Sequence, residues 1–339
     1  MKVEIYNCPG TLAEGHSTYT TACRKRLFEG KKVSHILPYR SPQLSEEVTE
    51  LFIENRKRIS ISGVQEKLSM VLEKNRLRLT HSGEQGTYIL KPIPRDLKLV
   101  EQVPANEHLT MQIARQVYKI NTAENALIFF QDGSPAYITR RFDIKSDGTK
   151  FGLEDFASLA GKTKDNAGPD FKYRYSYEEI AVLLREFVPA WRVEVEKLFA
   201  QILFNYLFHN GDAHLKNFSL IEVRDGDYLL SPVYDLINTR LHVADSDMAL
   251  EDGLFSHDYE TDSFAANGYY AYDDFLEFAL KIGVQEKRAI RLLDTFRTAN
   301  PEVEQLTQRS FLSEELKAQY LTLYRDRIKR LNYSFSGKL

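Results

Sequence analysis

The sequence predicts an α+β protein with two lobes, a β-rich lobe followed by a helical lobe. Up to about residue 140, apolar residues come in short runs separated by turn-forming residues, which is the pattern of strands. Beyond residue 150 they recur every three or four positions, which is the pattern of helices. We therefore expect an N-terminal lobe over residues 1–140 and a C-terminal lobe over residues 141–339.

The predicted elements of the first lobe are short strands with one helix among them. The strands are expected at residues 68–72, 76–79, 86–91, 126–130 and 136–139. The helix is expected at residues 106–118, because Leu109, Ile113 and Val117 fall on one face at helical spacing.

Two long helices are predicted in the second lobe. Residues 193–208 carry a wide apolar face, which indicates a buried helix, and residues 314–329 have a helical pattern. The stretch 245–262 between them has several carboxylates and no Lys or Arg, so we expect a solvated loop or a surface that faces a partner.

Composition indicates an ordinary globular protein of 339 residues with 43% hydrophobic and 27% charged residues. Its apolar stretches are shorter than the roughly 18 residues that a membrane span needs. Two cysteines are too few for a disulfide framework, and the N-terminus does not resemble a secretory signal, so we expect a cytoplasmic location. A net charge of −3 argues against binding nucleic acid through bulk electrostatics.

The stretch from His209 to Asn217 carries the clearest chemical signal. Asp212 is followed five positions later by Asn217, and Asp235 comes after a predicted short hairpin. In phosphoryl transfer one carboxylate orients the attacking hydroxyl, while an amide oxygen and a second carboxylate hold Mg²⁺ against the phosphates. The plainer alternative is a polar turn. Within this loop, Lys216 could offset phosphoryl charge, and His214 is expected to order the loop by a hydrogen bond.

A second signal lies at the end of the predicted strand 86–91. Pro92 must end this strand, which leaves Lys91 at its terminus and suitable for contact with nucleotide phosphates. Glu107 on the following helix could pair with Lys91. The alternatives are a solvated lysine and a surface glutamate.

Several landmarks occur in a fixed order between residues 60 and 235. They are the segment Ser60 to Lys67, Lys91-Pro92, Asn106-Glu107, Arg141-Phe142-Asp143, Glu154-Asp155-Phe156, Asp212 to Phe218, and Pro232-Val233-Tyr234-Asp235. Together they resemble the HipA serine/threonine kinases of bacterial toxin–antitoxin systems. The short chain and the doubled serine of Ser60-Ile61-Ser62 are most similar to the HipT kinases of HipBST systems.

The resemblance implies a bilobal protein-kinase-like fold that uses ATP and Mg²⁺. It implies that Asp212, Lys216 and Asn217 are catalytic and that Asn217 and Asp235 bind the metal. The implied ATP-binding residues are Lys91, Glu107, Ser62, Gly63, Val64, Gln65, Arg140, Phe142, His214 and Tyr234. A phosphate loop is implied at residues 60–67, with autophosphorylation at Ser60 and Ser62.

The implied function is that of a toxin kinase that phosphorylates an aminoacyl-tRNA synthetase and arrests growth. The implied partners are a HipB-like DNA-binding antitoxin and a small HipS-like protein, while the chain itself is not expected to bind DNA. Two alternatives remain: a small-molecule phosphotransferase of the aminoglycoside-kinase type, and a non-catalytic partner of a DNA-binding antitoxin. The segment Ser60 to Lys67 favours a protein kinase over the first alternative, and the complete set of Lys91, Asp212, Asn217 and Asp235 argues against the second.

Overall fold

The computed structural model describes residues 4–42, 66–94, 97–223 and 226–337. These residues form two compact units. The first contains the described residues up to Ile113 together with Thr122–Thr149 and Glu302–Lys317. The second contains Ala114–Asn121, Lys150–Pro301 and the described residues from Ala318 onward. Most of the predicted phosphate loop lies outside the described residues.

The first unit is built on an antiparallel sheet. Its strands are β1 (Leu68–Glu73), β2 (Arg76–Leu79), β3 (Tyr88–Lys91), β4 (Asn125–Phe129) and β5 (Pro135–Arg140). They are arranged in the order β2-β1-β3-β5-β4. All five predicted strands are confirmed, and β3 ends at Lys91 because the following proline has no backbone N–H to donate.

The core of this unit joins the sheet to the N-terminal segment. Alternate strand residues such as Met70 and Leu90 are buried in the same cluster as Leu27 of helix α1 (Thr21–Leu27). Two tyrosine hydroxyls reinforce the contact, because Tyr19 donates to the Leu127 carbonyl and Tyr88 to the Leu27 carbonyl, each at 2.7 Å. The sheet therefore has a covered face that holds β3 and its terminal lysine in place.

The remaining helices follow in chain order. They are α2 (Val103–Gln116), α3 (Phe156–Leu159), α4 (Lys164–Ala167), α5 (Tyr177–Phe187), α6 (Trp191–Leu207), α7 (Asp262–Asn267), α8 (Tyr272–Lys281), α9 (Glu286–Arg297), α10 (Pro301–Arg309) and α11 (Glu314–Leu331). Helices α2, α6 and α11 confirm the three long helices predicted from the sequence, with ends shifted by a few residues.

The second unit also contains a small antiparallel sheet, of which the sequence predicted a short hairpin but not the third strand. Its strands are β6 (Leu153–Asp155), β7 (Ser219–Glu222) and β8 (Tyr228–Leu230), in that order. Strands β7 and β8 form the hairpin expected between the two parts of the 212–235 motif. These strands are too short to show a clear period in the sequence.

Helix α6 positions the predicted catalytic loop. Most of its residues from Glu194 onward are buried, and α5 and α9 pack against it. A wide apolar face of this kind is stable when it is packed inside a core, and the burial predicted for this helix is confirmed. It ends at Leu207, so the loop that begins at His209 starts from a fixed point.

The acidic stretch 245–262 is partly structural, so the prediction of a solvated loop is wrong for its first carboxylates. Asp247 accepts hydrogen bonds from buried Arg327 at 2.7 Å and from Arg330 at 2.5 Å. Asp245 contacts the hydroxyl of Thr239.

Within the described parts of the chain, no helix is both long and apolar enough to cross a membrane. The α+β fold class predicted from the sequence is confirmed, with an antiparallel-sheet region followed by a helical region.

Candidate active site

The loop that follows α6 is held by its own backbone. His209 has a left-handed backbone with φ of 52°, an uncommon conformation for a residue with a side chain. Asn210 N–H donates to the Asn205 carbonyl, His214 N–H to the Asp212 carbonyl and Asn217 N–H to the His214 carbonyl, each at 2.8 Å. The loop thus has a defined shape from the helix to Asn217.

Thr239 fastens the start of this loop. Its hydroxyl accepts from Gly211 N–H at 2.9 Å and donates to the His209 carbonyl at 2.8 Å. Asp245 Oδ2 contacts the same hydroxyl, and burial raises the pKa of Asp245. A Cβ at residue 211 would clash with the Asp245 carboxylate, which explains why this position needs glycine.

Asp212 presents its carboxylate at the surface of the second unit, and its side chain is 53% exposed. The Tyr173 hydroxyl donates to Oδ1 at 2.6 Å, and His214 Nε2 lies 3.8 Å from the same oxygen. Burial lowers the pKa of His214 to about 4 and raises the pKa of Tyr173. Both groups beside Oδ1 are therefore neutral near pH 7.

His214 does not order the loop by a side-chain hydrogen bond, contrary to the prediction. Its Nδ1 is buried with no hydrogen-bond partner among the described residues, and Nε2 is too far from Asp212 for a hydrogen bond. The ring instead meets that of Tyr173 edge-on, with centroids 5.2 Å apart. Packing thus takes the place of the expected bond.

Asn217 and Asp235 are the two residues predicted to hold a magnesium ion, and their side chains carry oxygen atoms of the type that Mg²⁺ binds. The Asn217 side-chain oxygen is buried without a hydrogen-bond partner in the described chain, an arrangement that normally needs an explanation. Asp235 adopts a left-handed backbone with φ of 56°, and its carbonyl accepts from Asn210 at 3.4 Å. Among the described residues, no group of three or more His, Cys, Asp or Glu side chains could hold a metal ion. In proteins Mg²⁺ is usually bound by one or two carboxylates together with substrate phosphates and waters.

Lys216 and Tyr234 are both engaged within the second unit. The Lys216 ammonium lies 2.8 Å from Asp155 Oδ2, and Asp155 also accepts from Ser158 N–H at the start of α3. The Tyr234 hydroxyl donates to the Lys216 carbonyl at 2.8 Å and lies 2.6 Å from the Ser219 hydroxyl. Tyr234 therefore supports the back of the loop, and its contact with ATP stays a prediction.

Lys91 and Glu107 form an ion pair in the first unit. The Lys91 ammonium lies 2.7 Å from Glu107 Oε1, and both side chains are buried. The ammonium also lies 5.4 Å from the centre of the Tyr137 ring. The alternatives of a solvated lysine and a surface glutamate are wrong, and the predicted pair is present.

Arg140 and Phe142 are two further predicted ATP-binding residues, and their contact with ATP stays a prediction. The Arg140 guanidinium lies 3.1 Å from Glu29 Oε1 and donates to the Arg26 carbonyl at 3.4 Å, so it contacts the N-terminal segment. Phe142 is half-buried. Outside the described residues lie Ser60, Ser62, Gly63, Val64 and Gln65.

Three residues that contact the loop were not predicted as functional. They are Tyr173 on Asp212, Asp155 on Lys216, and Thr239 on Gly211. Asp155 belongs to one of the sequence landmarks and could have been considered. Tyr173 and Thr239 have no spacing rule that connects them to the loop.

Sequence comparisons match most of the chain. A family model described as the HipA-like C-terminal domain matches residues 59–303. A Haemophilus influenzae protein provisionally named a kinase is 28% identical over 287 residues, which cover 81% of this chain and 82% of that protein. Two Sinorhizobium fredii proteins with the same provisional name, Y4mE and Y4dM, are 30% and 31% identical over 54% and 58% of this chain. The alignments cover only 43% and 48% of those two longer proteins.

Solved structures give the same fold. A chain from the Shewanella oneidensis MR-1 complex of HipA, HipB and operator DNA matches with a TM-score of 0.61 and 20% identity, over 81% of this chain and 65% of that one. The Helicobacter pylori proinflammatory kinase CtkA matches with a TM-score of 0.50 and 14% identity, over 77% of this chain and 93% of that one. The chain therefore belongs to the HipA-like C-terminal domain family and has the kinase-like fold of its structural neighbours.

Proposed function

We propose that this protein is an ATP-dependent serine/threonine protein kinase. The observation that carries the proposal is the chemistry of one loop. It presents the half-exposed Asp212 carboxylate and, five residues later, the buried Asn217 oxygen that has no hydrogen-bond partner in the described chain. The first suits a hydroxyl that must lose a proton, and the second suits a cation.

Each residue then has a defined role. Asp212 orients the attacking hydroxyl and accepts its proton, and Lys216 offsets charge on the transferred phosphoryl group. Lys91 contacts the phosphates of ATP, and Glu107 fixes the direction of its ammonium. Asn217 and Asp235 hold Mg²⁺, which when bound neutralises phosphate charge.

The other assignments rest on the family resemblance. The ATP site is completed by Ser62, Gly63, Val64, Gln65, Arg140, Phe142, His214 and Tyr234. Ser60 and Ser62 accept phosphate from the enzyme itself. The N-terminal lobe spans residues 1–140 and the C-terminal lobe spans residues 141–339.

The biological role that we propose is that of a cytoplasmic toxin kinase similar to HipT. It phosphorylates an aminoacyl-tRNA synthetase and is held by a HipB-like DNA-binding antitoxin and a HipS-like small protein. Family membership supports this role, and the related Shewanella HipA was solved together with HipB and operator DNA.

Labelled ATP provides the test of the chemistry. The purified chain is incubated with Mg²⁺ and γ-labelled ATP, and label in protein is compared between wild type, Asp212→Ala and Asp165→Ala. Asp165 is an exposed carboxylate of α4 and serves as the matched control. Wild type and Asp165→Ala should transfer phosphate equally, and Asp212→Ala should be slower by about 100-fold or more.

Near-wild-type transfer by Asp212→Ala would contradict the catalytic assignment. Label that passes to small alcohols such as aminoglycosides, and not to protein, would favour a small-molecule phosphotransferase. Expression in a bacterial host tests the toxin role separately. Growth should stop with wild type and continue with Asp212→Ala, and continued growth with an active wild-type enzyme would contradict only the toxin role.

A further inference from the structure

Tyr173 contacts the loop at Asp212, the residue proposed to orient the attacking hydroxyl. Its hydroxyl donates to Asp212 Oδ1 at 2.6 Å, and its ring packs edge-on against His214. Hydrogen bonds to a charged acceptor are shorter and stronger than those between neutral groups. Among the described residues, the Tyr173 hydroxyl makes the one side-chain hydrogen bond to Asp212.

The backbone around Tyr173 is fixed on two sides. The Lys172 carbonyl accepts from Leu215 N–H of the loop at 3.1 Å. The Tyr173 carbonyl accepts from Glu251 N–H at 2.9 Å and from Tyr175 N–H at 3.0 Å. Because these bonds are within the second unit, the hydroxyl reaches Asp212 from a stable support.

Asp212 needs such a support. More than half of its side chain is exposed, so its carboxylate would otherwise sample several orientations at little cost. A bond to Oδ1 fixes the plane of the carboxylate and leaves Oδ2 for an incoming hydroxyl. Tyr173 keeps its proton near neutral pH, because burial and the Asp212 charge raise its pKa.

We propose that Tyr173 is a positioning residue that holds the Asp212 carboxylate in its productive orientation during phosphoryl transfer. This inference rests on the proposed role of Asp212 and adds a residue to it. A hydroxyl that merely blocks the substrate position would have to withdraw before reaction. The packing of the Tyr173 ring against His214 opposes such a withdrawal, which favours positioning.

The test compares Tyr173→Phe with Tyr175→Phe in the full chain. Tyr175 lies two residues away in the same segment. Among the described residues its hydroxyl has no hydrogen-bond partner, so removing it is a matched control for the loss of a tyrosine hydroxyl. Phosphoryl transfer is followed with γ-labelled ATP over a range of ATP concentrations, and thermal melting checks folding. Tyr173→Phe should lower kcat about tenfold or more and leave the KM for ATP within about twofold. Tyr175→Phe should match wild type.

A double variant separates positioning from general disruption. If Tyr173 acts through Asp212, adding Tyr173→Phe to Asp212→Ala should cause no further loss, because the acceptor is already absent. A kcat equal to wild type in Tyr173→Phe, or one that rises, would overturn the proposal. So would an equal loss in Tyr175→Phe, or a further loss in the double variant. If Asp212→Ala alone keeps full activity, the proposed function itself fails, which is a distinct result.

Discussion

Two lysine–carboxylate pairs in this molecule have nearly the same length and very different surroundings. Lys91 and Glu107 are 2.7 Å apart, with side chains 5% and 3% exposed. Lys216 and Asp155 are 2.8 Å apart, with side chains 36% and 21% exposed. Distance alone would rank them as equal. Exposure separates them, because a charge that loses its partner in the interior cannot be rehydrated, whereas one near the surface can.

This difference suits the roles proposed for the two lysines. A buried pair holds an ammonium in one direction, which is useful for a lysine that contacts phosphates at a fixed place. A partly exposed pair can exchange its carboxylate for a phosphoryl oxygen at small cost. We therefore infer that the packing of the first unit fixes the direction of the Lys91 side chain. The Lys216 side chain, in contrast, can exchange Asp155 for another partner.

The largest effect on stability is expected when the buried Lys91–Glu107 pair is broken. Glu107→Ala should lower the free energy of unfolding by about 3–5 kcal/mol, because the Lys91 charge is left without its carboxylate. Urea denaturation measures the change. The double variant Lys91→Met/Glu107→Leu should recover most of the loss, since apolar side chains of similar volume can replace such a pair. A double variant as unstable as Glu107→Ala would show that the charge was not the cause.

A smaller effect on stability is expected when the pH is lowered, and it comes from His108, the neighbour of Glu107 on α2. His108 is fully buried, and burial lowers its pKa to about 3. An unfolded histidine has a pKa of about 6.5, so below this pH the unfolded chain takes up a proton that the folded chain refuses. Stability should therefore fall as the pH drops from about 6.5 towards 3, and the His108 contribution between pH 7 and pH 5.5 should be about 1–2 kcal/mol.

Denaturation of His108→Leu across this pH range tests the contribution. The variant should lose part of the pH dependence that wild type has, whereas His16→Gln, at an exposed position, should keep it. Identical pH dependence in His108→Leu and wild type would mean that His108 is not buried in its neutral form.

The smallest effect on stability is expected at the exposed pair. Asp155→Asn keeps an oxygen that can accept from Ser158 N–H and removes the charge that faces Lys216. Its unfolding free energy should change by at most about 1 kcal/mol. Glu107→Gln, the matched change in the buried pair, should cost more under the same conditions. If Asp155→Asn and Glu107→Gln lost equal amounts of unfolding free energy, burial would not distinguish the two lysine–carboxylate pairs.

The sequence predicted the elements that depend on local pattern. Pro92 fixed the end of β3, and the apolar faces of α2 and α6 gave those helices. Pairing of Lys91 with Glu107 could also be predicted, because a strand end and the next helix are close along the chain. The roles of Asp212, Asn217 and Asp235 in catalysis and metal binding remain predictions from spacing and resemblance.

Contacts with distant residues could not be predicted in this way. Tyr173 is 39 residues from Asp212, and Asp155 is 61 residues from Lys216. The expected hydrogen bond of His214 was wrong for the same reason, since tertiary packing placed its ring against Tyr173 and away from a partner. The acidic stretch was also misread, because Arg327 and Arg330 that bind Asp247 come 80 or more residues later.

The sequence by itself determined which segments become strands and helices and which loop carries the phosphoryl-transfer residue types. Hydrophobic period and residue spacing act over a few neighbouring positions, so they can be read along the chain. The tertiary structure alone decided which charges are buried, as with Lys91, and which hydroxyl supports Asp212. Burial and hydrogen bonding depend on the whole packed unit, and no local pattern contains that information.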